Sequence, residues 1–181
     1  KNKITSDIFY ALDAGNYSNV VAGLYSWSFA LPVNGFIIPA TDSLTADAKG
    51  NPIFLDSLIS LEKRLPSDPA EPSNLERLEE VFNAKKSLMK YFLFLQSVSP
   101  EQTTKACQDF FMKYKILLDK DTSRAYASYM HFLENSENPE SAVVLVARDH
   151  NFYSKDFIRH ATGETVSAPE SIQKISGKTE L

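Results

Sequence analysis

The pattern of apolar and polar positions is helical along most of the chain. Apolar side chains recur every three or four residues, with charged side chains on the other faces, which is the spacing of a helix that buries one side. Periodicity and end signals together predict seven helices, over residues 6–14, 17–31, 52–65, 73–97, 100–118, 121–134 and 139–161.

Signals for helix ends accompany this periodicity. Three of the predicted helices open with a capping residue followed by proline, at Asn51-Pro52, Ser99-Pro100 and Asn138-Pro139. Proline suits the first helical position because the N–H that it lacks would have no partner there. Pro66 and Gly163 are predicted to end two of these helices. The pattern therefore predicts a mainly α fold.

A stretch without charge runs from Ala14 to Thr41. Wound as a helix over 17–31, it leaves no polar face, and Ala22, Ser26 and Ala30 form a row of small residues that would let another helix approach closely. We predict that this helix is buried at the centre of the domain. An exposed partner-binding patch is the alternative. A membrane span is disfavoured because asparagine, serine and proline interrupt the run before it reaches about 20 apolar residues.

Turn signals follow the uncharged helix. Asn34-Gly35 accepts the positive φ angles of a tight hairpin turn, and residues 48–51 supply a second turn. The sequence thus predicts a single helical-bundle-like domain of six or seven helices over residues 1–163, with a small β-hairpin near residues 33–54. Residues 66–72 are interpreted as a linker, and 164–181 as a polar tail.

Composition narrows the function classes. The net charge of -4 and the scattered basic residues argue against a nucleic-acid partner. Cys107 is the only cysteine, which excludes an intrachain disulfide and slightly favours a reducing compartment such as the cytosol. The terminal tetrapeptide resembles an endoplasmic-reticulum retrieval signal, so the secretory lumen is the alternative if Leu181 is the natural C-terminus.

Candidate chemistry is concentrated after the apolar run 142–147. Arg148, Asp149 and His150 follow it, as though at the end of a parallel strand where active-site loops lie, and a carboxylate with an imidazole can act as a general base. On the predicted helix, however, the adjacent side chains of Asp149 and His150 point about 100° apart. Whether 142–147 is strand or helix stays open. The three histidines lack the spacing of a metal site, and we predict no metal and no cofactor.

Two short motifs could recruit proteins. Asn51, Pro52 and Phe54 fit an NPxF sorting signal, although a helix cap explains the first two. Lys63, Pro66 and Pro69 fit a basic-xxPxxP ligand of SH3 domains, although a helix running into a linker gives the same letters.

The function predicted by elimination is a non-enzymatic protein-protein interaction module, of adaptor, chaperone or host-directed type, that binds another protein through a helical surface. Two alternatives remain. One is a small enzyme that uses Asp149 and His150 as an acid-base pair. The other is a carrier of an apolar ligand in a cavity lined by the aromatic side chains of residues 82–132, since tyrosine and phenylalanine also line such pockets.

Overall fold

The computed structural model describes residues 7–50, 52–54, 74–82, 86–135 and 141–176. These residues form an α/β fold, so the predicted helical bundle is wrong. The strands are β1 (Ile8–Ala11), β2 (Gly35–Pro39), β3 (Leu44–Ala46), β4 (Pro52–Phe54), β5 (Leu93–Gln96) and β6 (Ala142–Leu145). Four of them form one parallel sheet in the order β5-β2-β1-β6, whereas β3 and β4 form a separate antiparallel pair.

Helices lie on both faces of the parallel sheet. They are α1 (Ser18–Ser28), α2 (Leu75–Val81), α3 (Lys86–Met89), α4 (Pro100–Tyr114), α5 (Lys120–Glu134), α6 (Lys155–Thr162) and α7 (Glu170–Ser176), with a 3-10 turn at Asn151–Ser154. On one face, α1 packs against Leu12, Phe36 and Ile38. On the other, α5 packs against Phe9 and Ile37 and is itself covered by α4. The core is therefore divided between the two faces of the sheet.

Several predicted helices contain strands. Residues 6–14 contain β1, residues 73–97 hold α2, α3 and then β5, and residues 139–161 hold β6 followed by the 3-10 turn and α6. The predicted helix at 52–65 is a strand over 52–54, and its remainder lies outside the described residues. Short apolar runs buried on both faces of a parallel sheet lack the alternation that distinguishes strands, so periodicity cannot separate them from helices.

Three predicted helices are confirmed, as α1, α4 and α5. The Ser99 backbone N–H donates to Gln102 Oε1 at 2.7 Å, and Ser99 Oγ accepts from the Gln102 N–H at 3.3 Å, which completes a capping box at the start of α4. Asp119 caps α5 by accepting from the N–H groups of Asp121 and Thr122, each at 3.0 Å. Gly163 ends α6 in the left-handed conformation, at φ 78°.

Asn34-Gly35 forms no hairpin turn, because Gly35 begins the parallel strand β2. Asn34, directly before β2, instead joins the start of β2 to β1 by accepting from the Ile8 N–H at 3.0 Å. A Cβ at Gly35 would lie 2.5 Å from the Phe94 ring, so this glycine allows β5 to approach closely. The antiparallel pair lies further along, with Gly50 at φ 75° in the turn between β3 and β4.

The uncharged helix is not dry on all sides, so its prediction as a central buried helix is wrong. Val20, Val21 and Leu24 are buried in α1, but Tyr25 is 46% exposed and Phe29, which follows the helix, is 84% exposed. Ala22 and Ser26 are exposed on α1, and Ala30 lies beyond the end of the helix at φ 80°, so the predicted helical row of small residues does not form. The charge-free stretch is explained by α1 burying one flank and by β2, all five residues of which are buried.

The proposed division into a domain over 1–163 and a tail over 164–181 stays a prediction. Residues 170–176 of that tail form α7, and the predicted linker at 66–72 lies outside the described residues. Across the described helices, none combines the length and apolar character needed to cross a membrane.

Candidate functional site at the ends of strands β1 and β6

The candidate site lies at the switch point of the sheet, where successive strands are added first on one side of β1 and then on the other. After β1 the chain adds β2 and β5 on one side, and β6 then pairs with β1 on the other side, in parallel register from Ile8 with Ala142 to Ala11 with Leu145. The loops after β1 and β6 therefore leave the same edge of the sheet side by side. In open α/β sheets, ligands bind in the crevice at such a point.

A buried carboxylate lies in this crevice. The Asp13 side chain, in the loop after β1, is only 1% exposed. Its Oδ1 atom accepts from Nε and Nη2 of Arg124 in α5, both at 2.7 Å. Its Oδ2 atom accepts from the Gly15 N–H at 2.9 Å and from Arg148 Nη1 at 3.1 Å. Three parts of the fold thus share one carboxylate, which is the arrangement that makes a buried charge tolerable.

Arg148 connects the loop after β6 to this carboxylate and to α5. Its Nη1 atom donates to Asp121 Oδ2 at 2.7 Å, its backbone N–H donates to Thr122 Oγ1 at 3.1 Å, and its Nε atom lies 3.6 Å from Asp149 Oδ2. The guanidinium also lies against Gly15, where an added Cβ would be 2.7 Å from Nη1. Arg148 therefore fills the space between the two loops.

The start of α5 brings acidic groups to the cluster. Burial raises the pKa of Asp121, and the negative charge of Asp13 raises it further, whereas Arg148 and Arg124 lower it by smaller amounts. In the cluster of Asp13, Asp121, Asp149, Arg124 and Arg148, two guanidinium groups face three carboxylates. The crevice is therefore not a positively charged one.

The loop after β1 continues into α1. Tyr17 precedes the helix at φ 63°, and its buried hydroxyl is hydrogen-bonded to Thr41. Burial raises the pKa of Tyr17, and the bond to Thr41 lowers it by a smaller amount. Asn16 Oδ1 accepts from the Ser18 N–H at 3.2 Å, while Asn16, Ser18 and Asn19 are exposed. Polar side chains thus surround the start of α1.

The structure places Asp149 and His150 in the loop after β6, as in the strand interpretation of 142–147 and not on a helix. His150 Nδ1 accepts from the Phe152 N–H at 3.1 Å, which caps the 3-10 turn, and the Asp149 carboxylate lies beside Arg148. The partner of His150 is thus the Phe152 N–H and that of Asp149 is Arg148, so the two side chains are not paired with each other. Their role as an acid-base pair stays a prediction.

The two recruitment motifs are described only in part. Pro52 and Phe54 belong to β4, so the interpretation of Pro52 as the first residue of a helix is wrong. Asn51, Lys63, Pro66 and Pro69 lie outside the described residues. Among the residues that are described, no group of three or more histidine, cysteine, aspartate and glutamate side chains could hold a metal ion.

Sequence reasoning missed Asp13, Arg124 and Asp121. Asp13 was placed in the predicted helix 6–14, and 135 positions separate it from Arg148, its partner in the fold. The sequence carries a usable signal, since a polar residue shortly after a parallel strand lies at the edge of the sheet where ligands bind. This signal can be used only if residues 8–11, IFYA, are interpreted as a strand.

A parallel sheet that carries polar loops at its switch point defines the class of open α/β proteins. No protein-family profile matches the chain. Two curated relatives do match, and both are threonine synthases of Buchnera aphidicola. The one from subspecies Schizaphis graminum is 26% identical over 172 residues, 92% of this chain and 38% of the relative. The one from subspecies Acyrthosiphon pisum is 32% identical over 111 residues, 58% of this chain and 24% of the relative.

Solved structures share the fold. Threonine synthase from Escherichia coli superposes with a TM-score of 0.68 at 20% identity, over 96% of this chain and 40% of that chain. PLP-bound threonine synthase from Brucella melitensis gives a TM-score of 0.67 at 16% identity, over 99% of this chain and 43% of that chain. The yeast enzyme gives 0.64 at 15% identity.

These comparisons correct the predicted function. The relatives that match are enzymes with an α/β fold, so the prediction of a non-enzymatic, all-helical adaptor module is wrong. They favour the enzyme alternative over both the module and the carrier. The chain spans 24% to 38% of the length of the curated relatives.

Proposed function

We propose that this chain is a segment of an enzyme of the threonine synthase type. The observation that carries the proposal is the agreement of sequence and fold over nearly the whole chain, with 92% aligned to one threonine synthase and 96% superposed on another. In this segment the parallel sheet supplies the scaffold, and the loops after β1 and β6 supply the side chains at the switch point. The whole enzyme would then act on a small-molecule substrate and form threonine.

One of the solved relatives carries PLP. PLP has a phosphate group, and when bound it supplies an electron sink for carbanion chemistry. The crevice of this chain does not fit that phosphate, because the Arg148 guanidinium already fills the space over Gly15. The N–H groups of Gly15 and Ser18 are also taken, by Asp13 and Asn16. Three carboxylates against two guanidinium groups would repel a phosphate dianion. We therefore derive no step through PLP between these two loops.

In the proposed enzyme, the ion-pair cluster positions the loops. Asp13 holds the Gly15 N–H, and with it the turn that leads into α1, while Arg148 ties the same carboxylate to the start of α5. Because Arg124 donates to Asp13 from the second turn of α5, the sheet edge and this helix are fixed relative to one another. Side chains on the two loops, Asp149 and His150 among them, thereby keep a fixed geometry toward a substrate.

The proposal is tested by expressing the full product of the gene in a bacterial strain that lacks threonine synthase and by measuring growth without threonine. We expect growth, and threonine formed by the purified protein, detected by amino-acid analysis with and without added PLP. A folded, soluble product that neither supports growth nor forms threonine would overturn the proposal.

A further inference from the structure

The turn after β1 has the backbone shape of an anion cradle, but several of its N–H groups are already in use. Gly15 has φ 47°, Tyr17 has φ 63°, and α1 begins directly after them. Turns of this kind at the start of a helix commonly hold phosphate groups through their N–H groups. Here the N–H of Gly15 donates to Asp13 Oδ2 at 2.9 Å, that of Tyr17 to the Ala14 carbonyl at 2.7 Å and that of Ser18 to Asn16 Oδ1 at 3.2 Å. These three donors are satisfied within the loop.

The space over Gly15 is filled by an internal side chain. A Cβ added at Gly15 would lie 2.7 Å from Arg148 Nη1, 2.9 Å from Cζ and 3.2 Å from Nη2, so the whole guanidinium group lies against this glycine. A glycine in such a turn commonly lets a ligand approach the backbone closely. In this fold the group that approaches is the side chain of Arg148. A phosphate group can enter the same volume only if Arg148 leaves it.

Arg148 is held in this place by carboxylates from three parts of the fold. Its Nη1 atom donates to Asp13 Oδ2 at 3.1 Å and to Asp121 Oδ2 at 2.7 Å, and its Nε atom lies 3.6 Å from Asp149 Oδ2. If the guanidinium moved away, Asp13, whose side chain is 1% exposed, would lose one of its two arginine partners. Removing one partner of a buried charge is strongly unfavourable. A ligand that displaces Arg148 must therefore supply a cation in its place.

The charge around Arg148 also has the wrong sign for an anion. Three carboxylates face two guanidinium groups in the cluster. Burial raises the pKa of Asp121 and the Asp13 carboxylate raises it further, although Arg148 and Arg124 oppose this. The environment of the crevice thus already disfavours one of its own negative charges. A phosphate dianion would add to this repulsion, whereas a planar cation with several N–H donors suits the carboxylates.

We propose that the crevice at the switch point is a guanidinium site that Arg148 fills from within, and that phosphate-bearing ligands, PLP included, do not bind between the loops after β1 and β6. This inference goes beyond the proposed function and rests on it only for the choice of PLP as the excluded ligand. Any cofactor phosphate that the full enzyme binds is then held by residues outside these two loops.

The first test measures hydrogen exchange in the full product of the gene, by mass spectrometry of peptides that cover residues 13–21 and 145–151. The probes are inorganic phosphate and pyridoxine 5′-phosphate, which lacks the reactive aldehyde of PLP. Each is added at about 10 mM, enough to fill about nine-tenths of a site with a Kd of about 1 mM. Sodium chloride of equal ionic strength is the control solution.

We expect either probe to change exchange in both peptides by less than about 2-fold, because the phosphate finds no place between the loops. A peptide that covers α4, over residues 100–114, is the matched control and should be equally unaffected. A larger, phosphate-specific slowing of exchange in the peptide 13–21 would overturn the proposal.

Arg148→Ala tests the guanidinium site itself. This variant should lower the melting temperature of the full product by several degrees, because three carboxylates lose a shared donor. Guanidinium chloride at about 10 mM, far below denaturing concentrations, should recover at least about a third of that loss relative to equal sodium chloride. Arg159→Ala is the matched control, since its side chain is 68% exposed, and it should show neither the loss nor the recovery.

Two results of this substitution contradict the guanidinium site: a variant that melts like the unaltered protein, and a destabilised variant that guanidinium does not restore. If Arg148→Ala does not fold, the exchange measurement on the unaltered protein decides.

The two proposals fail separately. If the full product forms threonine while phosphate slows exchange in the peptide 13–21, the inference about the crevice fails alone. If exchange is unaffected and no threonine forms, the proposed activity fails and the inference about the crevice stands.

Discussion

The two faces of the parallel sheet are finished in different ways. On the α5 face, Phe9, Ala11 and Ile37 are buried, and a second layer, α4, covers α5. On the α1 face, the helix covers β1 and β2 but leaves the adjoining face of β6 in contact with solvent. The first face is a completed core. The second covers β1, β2 and β5, whose Leu93 is 1% exposed, but leaves Val144 of β6 43% exposed.

Polar chemistry is also divided between the faces. The ion-pair cluster joins the sheet edge to α5, whereas the groove beside α1 is lined by uncharged side chains. A buried carboxylate needs several donors at fixed positions, and only the α5 side supplies two arginine partners. The α5 side is therefore held by charged as well as apolar contacts, whereas the groove on the α1 side has no charged lining residue.

The largest effect on the free energy of unfolding should come from the ion-pair cluster around Asp13. Asp13→Ala leaves Arg124 and Arg148 without their shared carboxylate in a site where the Asp13 side chain is 1% exposed. We expect a loss of about 3–5 kcal/mol in the free energy of unfolding, because Arg124, Arg148 and the Gly15 N–H all lose their shared buried acceptor. Urea denaturation measures it.

The control for this prediction is Asp156→Ala, which removes an exposed carboxylate 3.9 Å from Arg159 and should cost less than about 0.5 kcal/mol. If Asp13→Ala lowered the free energy of unfolding no more than the control does, the ion-pair cluster would not be what holds α5 to the edge of the sheet.

The next largest difference should be between side-chain truncations on the two faces of the sheet, measured as the loss in free energy of unfolding. Ile37→Ala empties a fully buried position on the α5 face and should cost about 2–5 kcal/mol. Val144→Ala on the α1 side of β6 should cost less than about 1 kcal/mol, because its side chain is already 43% exposed. Equal losses, measured by thermal and urea unfolding, would remove the distinction between the two faces.

The sequence was sufficient for elements whose signals are local. Ser99 followed by Pro100 marks the start of α4, and apolar spacing marks α5, so both helices are predicted to start within one residue of the observed position. These signals need no knowledge of the rest of the fold, because the hydrogen bonds that they predict are made within one helical turn.

The strands were missed because their signals are not local. β1 and β6 have four residues each, too few to show a period, and they are recognisable as strands only when paired with each other. The sequence pattern singles out Arg148, Asp149 and His150 after an apolar run, and the structure places the first two in the ion-pair cluster. Asp13 was not found, because it joins Arg148 only once the two strands are parallel neighbours.

A smaller effect should distinguish the tight flank of α1 from its open flank. A Cβ at Gly23 would lie 2.6 Å from the buried Phe36 ring, so Gly23→Ala should destabilise by about 1–2 kcal/mol even though alanine favours the helix. Ala22→Ser on the exposed flank should stay within about 0.5 kcal/mol in the isolated chain. Circular dichroism melts compare the two, and a stabilising Gly23→Ala would mean that α1 sits further from β2.

The smallest effect concerns pH. Burial raises the pKa of Asp121, so between its unfolded pKa, about 3.9, and its higher folded pKa the native state binds more protons than the unfolded state. The stability that Asp121 contributes should therefore fall as pH rises through this window. Asp121→Asn should remove that slope, which urea unfolding at several pH values would detect. A contribution that rises with pH would contradict the burial of this carboxyl group.

The central claim is that β1 lies between two parallel neighbours and that this pairing creates the site. Nuclear Overhauser contacts of the Tyr10 backbone test it most directly. The fold predicts contacts both to the backbone around Phe36 and to the backbone around Val144. Helical contacts between residues three apart through 142–147, with no contact from Tyr10 to either strand, would contradict it.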